Sequence, residues 1–318
     1  MKNFIGNGLA EPASKMYITL RVASAMCFIG HGVFGIITKQ VWCNYFAVFG
    51  ISQDMAYRLM PVVGTMDIAL GLTLLLYPLR IVPLWLVFWG LLTALLRPLS
   101  GESFAEMIER AGNYGAPLSL LLLAGMNRRG LLGGSRPGLS AQAPDGAAPG
   151  GPVTASGASS VTAPGGPVTA GSSAQGGWFR GLWTPVGKPH PDARAMANTL
   201  LCLRIAVFLL LLGHGWLNLI EKKGLLQQYA GLGFSAPVKT AFFVGLFEIL
   251  AAAAVLVRPV RPLLLALFIW KMGTELFYPH WGIFEWIERG GSYGCLLALF
   301  FGLEKNFAVK TTNVSIQN

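Results

Sequence analysis

Runs of about twenty apolar residues, each long enough to cross a bilayer as a helix, recur along the chain in two groups of four. The first group covers residues 17 to 38, 58 to 78, 80 to 97 and 106 to 126. The second covers 198 to 220, 238 to 257, 261 to 279 and 284 to 303. Between them, residues 130 to 190 are rich in Gly, Ser, Ala and Pro and carry Gly-Gly-Pro-Val-Thr-Ala twice, from Gly150 and from Gly165. That composition predicts a flexible linker and not a domain. The whole pattern predicts an all-α polytopic membrane protein of eight spans. A first four-helix unit occupies 1–129, the linker 130–193 and a second four-helix unit 194–318.

The two groups match at their polar positions, so the sequence supplies its own comparison. Leu20-Arg21 followed by Gly30-His31-Gly32 corresponds to Leu203-Arg204 followed by Gly213-His214-Gly215. Gly64 with Asp67 pairs with Gly245 with Glu248, and Thr93 with Pro98 pairs with Thr274 with Pro279. The longest match is Glu106-Met-Ile-Glu-Arg-Ala-Gly-Asn-Tyr-Gly115 against Glu285-Trp-Ile-Glu-Arg-Gly-Gly-Ser-Tyr-Gly294. This is the signature of an internal duplication. An even number of spans per copy brings both copies in from the same side, giving two four-helix bundles in parallel repeat. Inverted-repeat transport is thereby disfavoured, and so is a small-solute permease, which would show paired Gly/Pro-broken helices.

Composition agrees with a bilayer. The chain is 53% hydrophobic and only 12% charged, with a mean hydropathy of +0.56, about half the charge of a soluble protein. The first apolar run begins after Lys15 without a short cleavable core and reads as a retained span. Fifteen of the 24 Lys and Arg fall on the side that holds the termini and the linker, against only Glu11, Asp145, Asp192 and Glu304. The opposite side has nine basic and ten acidic residues. By the positive-inside rule both termini and the linker are cytoplasmic, in a multi-pass protein of the cell (inner) membrane. The net charge of +10 is therefore mostly topology and calls for no nucleic acid. Cys27, Cys43, Cys202 and Cys295 are dispersed, with neither a redox nor a haem-attachment spacing, and read as packing residues; no metal set is written.

The polar residues inside the spans are where chemistry would sit. His31 lies about seven residues from the outer end of its helix, roughly 10 Å deep, and His214 lies at the matching depth. Their flanking glycines allow a neighbouring helix or a ligand to come close. Each histidine reads either as a neutral packing residue bonded across helices or as a proton-handling group; ligation of a haem between the two is a third reading. Asp67 and Glu248 lie roughly 14 Å deep if their helices start near 58 and 239, and each needs a partner. The histidine of the same unit is one option; Arg97 in the first unit or Lys271 in the second is the other. Arg97 and Lys271 are not equivalent, so the copies diverge where a site would be specialised.

In E-x-x-E-R-x-G-x-Y-G the spacing suggests i to i+4 pairs, Glu106 with Arg110 and Glu285 with Arg289. Read structurally, the motif caps the fourth helix; read functionally, Glu109 and Glu288 line an outward-facing pocket near the histidines. The second copy is richer in polar groups, with Lys271, Glu275, His280, Glu285 and Glu288. Trp270, Trp281 and Trp286 read as interfacial anchors or as stacking surfaces for a flat ligand. Glu221-Lys222-Lys223 reads as a solvated loop end.

A helix with an early Arg and a late G-H-G, a second helix with an acidic residue, and a fourth opening with E-x-x-E-R-x-G together resemble the DoxX-like family of four-helix membrane proteins. Each half resembles one such unit; the linker lies outside the resemblance, and the fused duplication departs from the usual single-unit form. Members include the membrane subunit of thiosulfate:quinone oxidoreductase, and relatives are linked to redox balance and to assembly of other membrane proteins. The resemblance implies a redox-associated subunit that meets quinone or a redox or membrane-protein partner from the outer face. His31 or His214 would handle protons with Asp67 or Glu248. Arg97, Glu106, Glu109, Arg110, Lys271, Glu275, Glu285, Glu288 and Arg289 would contact the ligand. The alternative it implies is a non-catalytic scaffold or assembly factor.

Overall fold

A computed structural model of the chain describes residues 2–125, 182–186, 191–276 and 282–304, with backbone alone over 2–10. Within these residues every element is a helix. The first set comprises α1 (Lys2–Ile36), α2 (Trp42–Ala47), α3 (Gln53–Leu76), α4 (Ile81–Leu99), α5 (Phe104–Glu109) and α6 (Ala111–Leu123). The second comprises α7 (Ala193–Leu219), α8 (Lys223–Gly231), α9 (Pro237–Val257), α10 (Arg261–Leu276), α11 (Ile283–Glu288) and α12 (Gly290–Gly302).

Five segments are long and apolar enough to cross a membrane: Glu11–Ile36, Gln53–Leu76, Ile81–Leu99, Ala193–Leu219 and Pro237–Val257. Their outer faces carry large bare side chains such as Val62, Phe88, Phe243 and Leu250. Apolar surface on that scale belongs against lipid and not water. The protein is an all-helical membrane protein.

The fourth apolar run of each set differs from expectation. Instead of one helix over 106–126 or 284–303, the chain makes two short helices, broken at Arg110 (φ −86°, ψ 17°) and at Arg289 (φ −83°, ψ 8°). The break suits the charges: on a straight apolar helix the arginine would face apolar neighbours, whereas the bend releases its side chain toward acidic partners. The third helix of the second set is described as far as Leu276; Pro279, His280 and Trp281 lie outside the described residues, as does most of the linker.

Local sequence accounts for several helix ends. Ser103 and Asp192 cap α5 and α7 by accepting from the backbone N–H of Ala105 and Ala195, and Pro237 opens α9 where no N–H is needed. The last carbonyls of α3 and α9 have no partner within their own helices. Arg21 donates to the carbonyls of Leu74 and Leu75, and Arg204 to those of Val255, Leu256 and Val257. A cation at a helix C-terminus also suits the dipole.

The two sets pack as one unit. In each, the first helix packs on the second span, α1 on α3 and α7 on α9. Helices are also exchanged between sets, with α1 packing on α12 and α6 on α7. A single apolar core, including Leu20, Leu74 and Leu120 with Leu203, Val255 and Leu299, runs through both. The sets cross where α6 and α12 nearly touch. A Cβ on Gly112 would lie 2.7 Å from the Gly291 carbonyl carbon, a separation only glycine permits.

Candidate functional site

The E-x-x-E-R motif works across the two sets. Arg110 Nη1 donates to Glu288 Oε1 at 2.7 Å, and Arg289 Nη1 donates to Glu109. Further out, Lys39 Nζ meets Glu285 at 3.4 Å and Lys222 Nζ meets Glu106 at 2.6 Å. Each arginine thus turns to the opposite set, not back along its own helix to a residue four earlier, because the bend after α5 and α11 ends the helical register. Lys222, expected at a solvated loop end, is part of this belt.

The glycines beside the histidines serve the same junction. A side chain on Gly30 would strike the Glu288 backbone, and one on Gly213 the Glu109 backbone. On the other side of each histidine, Gly32 lies against Gly64 and Gly215 against Gly245. Each histidine is therefore clamped between its own second span and the other set's short acidic helix.

In the first set His31 Nδ1 lies 2.6 Å from Asp67 Oδ2, with Asp67 wholly buried. The His31 ring stacks on Trp42 with centroids 4.5 Å apart. With α3 starting at Gln53, Asp67 is about 21 Å along its helix at 1.5 Å per residue, deeper than the start near 58 suggested. His31 lies five residues before the end of α1, close to the expected depth. Arg97 does not reach Asp67; it bonds Glu102 at 2.9 Å and Glu106 at 3.2 Å. Tyr45 donates to the same Glu102 at 2.5 Å, and desolvation pushes its hydroxyl above the ordinary phenol range, against the pull of Arg97. It stays a donor at any physiological pH.

Beside His31 a half-open cavity of about 160 Å³ is walled by Trp42, Phe46, Val63, Trp89 and Leu92 and reached by Arg97, Arg110 and Glu288. The ring Nε2 of His31 is the atom left for a ligand once Nδ1 is held by Asp67. Ligand pockets for drug-sized molecules start at about 300 Å³, so this volume suits one substituted ring with any tail leaving through the opening.

No protein-family model matches the chain, and neither a curated protein nor a solved structure matches it.

The second set holds the same core pair in a different setting. His214 Nδ1 is bonded to Glu248 Oε2. Glu248 Oε1 accepts from Trp270 Nε1 at 3.2 Å and lies 3.7 Å from Lys271 Nζ. Lys271 in turn lies 2.9 Å from Glu275, whose other oxygen meets Arg289 at 3.0 Å. Asn218 bonds the His214 carbonyl at 3.0 Å and accepts from Tyr229 at 2.6 Å. Here the chain's own side chains supply the partners.

Of the residues singled out in the sequence, His31, Asp67, Arg97, Arg110 and Glu288 gather at or beside the first cavity. His214, Glu248, Lys271, Glu275, Arg289 and Glu109 form the second cluster, while Glu106 and Glu285 lie on the connecting belt. Trp270 and Trp286 do more than anchor: Trp286 donates to the Met272 carbonyl at 3.2 Å and packs on Tyr293. Sequence reading missed Trp42 and Trp89 as cavity walls and Asn218 and Tyr229 as cluster members. A signal existed for Trp89: in the register that pairs Thr93 with Thr274, it stands opposite Trp270.

Proposed function

We propose that the chain is a DoxX-like membrane protein, a tandem duplication of a four-helix unit spanning the bilayer eight times in parallel repeat. Its first-half cavity is a quinone-interacting site of a redox-associated membrane subunit, open to the outer face. The observation that carries this reading is a ring-sized, aromatic-walled cavity at a histidine already paired with a buried aspartate.

The duplication is supported by reciprocity. The pairs Arg110–Glu288 and Arg289–Glu109, and Lys39–Glu285 and Lys222–Glu106, exchange roles between halves. Thr38 and Glu221, at matching places after the first helix of each half, share a left-handed backbone with φ near 55°, a conformation uncommon outside glycine. Helices α6 and α12 have 13 residues each, about 20 Å, and complete a span together with α5 and α11. The excess of Lys and Arg beside the termini assigns these to the cytoplasm of a cell membrane.

A quinone bound here supplies a two-electron, two-proton acceptor, and its electrons come from a partner subunit. The chain's contribution is proton handling and placement. Asp67 holds His31 Nδ1 and fixes the ring, so Nε2 can give or take a proton at a ring oxygen. Trp42 and Trp89 wall the flat ring. The second half has the same relay, but its donors and acceptors are already engaged by Lys271, Trp270 and Asn218, so we assign ligand binding to the first half alone.

Binding of duroquinone to the purified full chain in detergent, followed by quenching of tryptophan fluorescence, tests this. Saturable quenching is expected, at least 10-fold weakened in Val63→Phe, which narrows the cavity without touching a polar group. Absence of saturable quenching in the wild type, by duroquinone and by its reduced form durohydroquinone alike, sinks the redox reading. It would leave a second reading, a scaffold or assembly protein, which the cross-half ion-pair belt favours because it uses most of the motif's charges for packing.

A further inference from the structure

The halves differ by one methylene at the carboxylate, and that difference leaves two polar atoms without partners. In the second half Glu248 Oε1 accepts directly from Trp270 Nε1. In the first half the aligned residues are Asp67 and Trp89. The shorter aspartate keeps its bond to histidine, yet its Oδ1 and the indole Nε1 of Trp89 are both buried with no hydrogen-bond partner among the described residues. A buried acceptor and a buried donor left open each pay for desolvation without a bond in return. Trp89 lines the cavity, as does His31, the partner of Asp67, so the two open atoms call for an occupant that enters from there. The positions that supply Lys271 and Glu275 in the second half are Gly90 and Ala94 in the first, which offer neither atom a partner.

We propose that Asp67 Oδ1 and Trp89 Nε1 form the polar end of the first-half site and recognise a ring hydroxyl, which donates to Asp67 and accepts from Trp89. A hydroxyl is the smallest group that satisfies an acceptor and a donor together. A quinone carbonyl, which only accepts, satisfies Trp89 and leaves Asp67 open. The site therefore prefers the hydroquinone form of its ligand. The second half replaces this hydroxyl by direct contact between Glu248 and Trp270. The inference rests on the quinone reading of the cavity and adds to it which form is held and by which atoms.

The test compares three probes on the purified full chain under anaerobic conditions, by equilibrium dialysis: durohydroquinone, duroquinone, and the dimethyl ether of durohydroquinone, which has no hydroxyl to donate. Durohydroquinone is expected to bind at least 10-fold more tightly than either of the others. Asp67→Glu, which rebuilds the second half's direct bond to tryptophan, is expected to erase that preference while the protein keeps its thermal stability. Trp89→Phe is expected to reduce it. Equal binding of hydroquinone and ether, or an unchanged preference in Asp67→Glu, overturns the hydroxyl site and means that water fills the gap. Duroquinone binding without hydroquinone preference overturns this inference and leaves the quinone reading intact; binding of none of the probes overturns both.

Discussion

Arg110→Met is expected to destabilise the folded protein by about 3–5 kcal/mol, the usual cost of leaving one member of a buried ion pair alone. Both partners are nearly buried, with side-chain exposures of 13% for Arg110 and 8% for Glu288, so water cannot take over the lost bond. The more telling variant is the exchange Arg110→Glu with Glu288→Arg. Each single exchange puts two like charges together and should abolish the folded state, whereas the double exchange should recover most of the stability. Denaturation in detergent, followed by tryptophan fluorescence, reads the difference. Recovery requires that these two residues, 178 positions apart, meet within one chain. Additive damage in the double exchange would refute the pairing of the halves.

Gly213→Leu carries the second large effect. The added side chain would run into the backbone of Glu109, and backbone cannot yield as the end of a flexible side chain does. Overpacking of a core costs about 1–3 kcal/mol; here the two halves would also be pried apart at the Arg289–Glu109 pair, and loss of monodisperse protein is expected. Gly273→Leu provides the contrast, since none of the described residues lies within 4 Å of a Cβ at that position. Size-exclusion profiles should separate the two variants completely. A well-behaved Gly213→Leu protein would mean that the first helix of the second half does not sit against α5.

The two predictions concern residues that the sequence marked without explaining. Gly-His-Gly and E-x-x-E-R-x-G stand out because they occur twice, but a repeated motif does not say whether its two occurrences serve themselves or one another. Nothing in the spacing of Glu106 and Arg110 shows that the helix breaks between α5 and α6 and sends the arginine to the far half. What could be read were features with a length: the long apolar helices, and the place of each histidine near the end of the first one in its half. That Asp67 and Glu248 need partners was legible too, because a buried carboxylate requires one; the sequence left the choice open between the histidine of the same half and Arg97 or Lys271, and packing gives Asp67 to His31 and Glu248 to His214 with Lys271 nearby. The cavity was not legible. It depends on how His31, Trp42, Val63 and Trp89 converge from four separate helices, and volume of that kind appears only once the helices are packed. Trp42 escaped notice for a related reason, since it sits on the short helix α2, which is too brief to register as an apolar run.

The central claim is that two alike halves share one scaffold while only the first keeps a ligand site, the second being closed by Lys271, Trp270 and Asn218. The number of durohydroquinone molecules bound per chain tests it most directly, taken as the saturable difference between the wild type and Val63→Phe in equilibrium dialysis. One equivalent per chain is the expected result. Two equivalents, or none, would contradict the account.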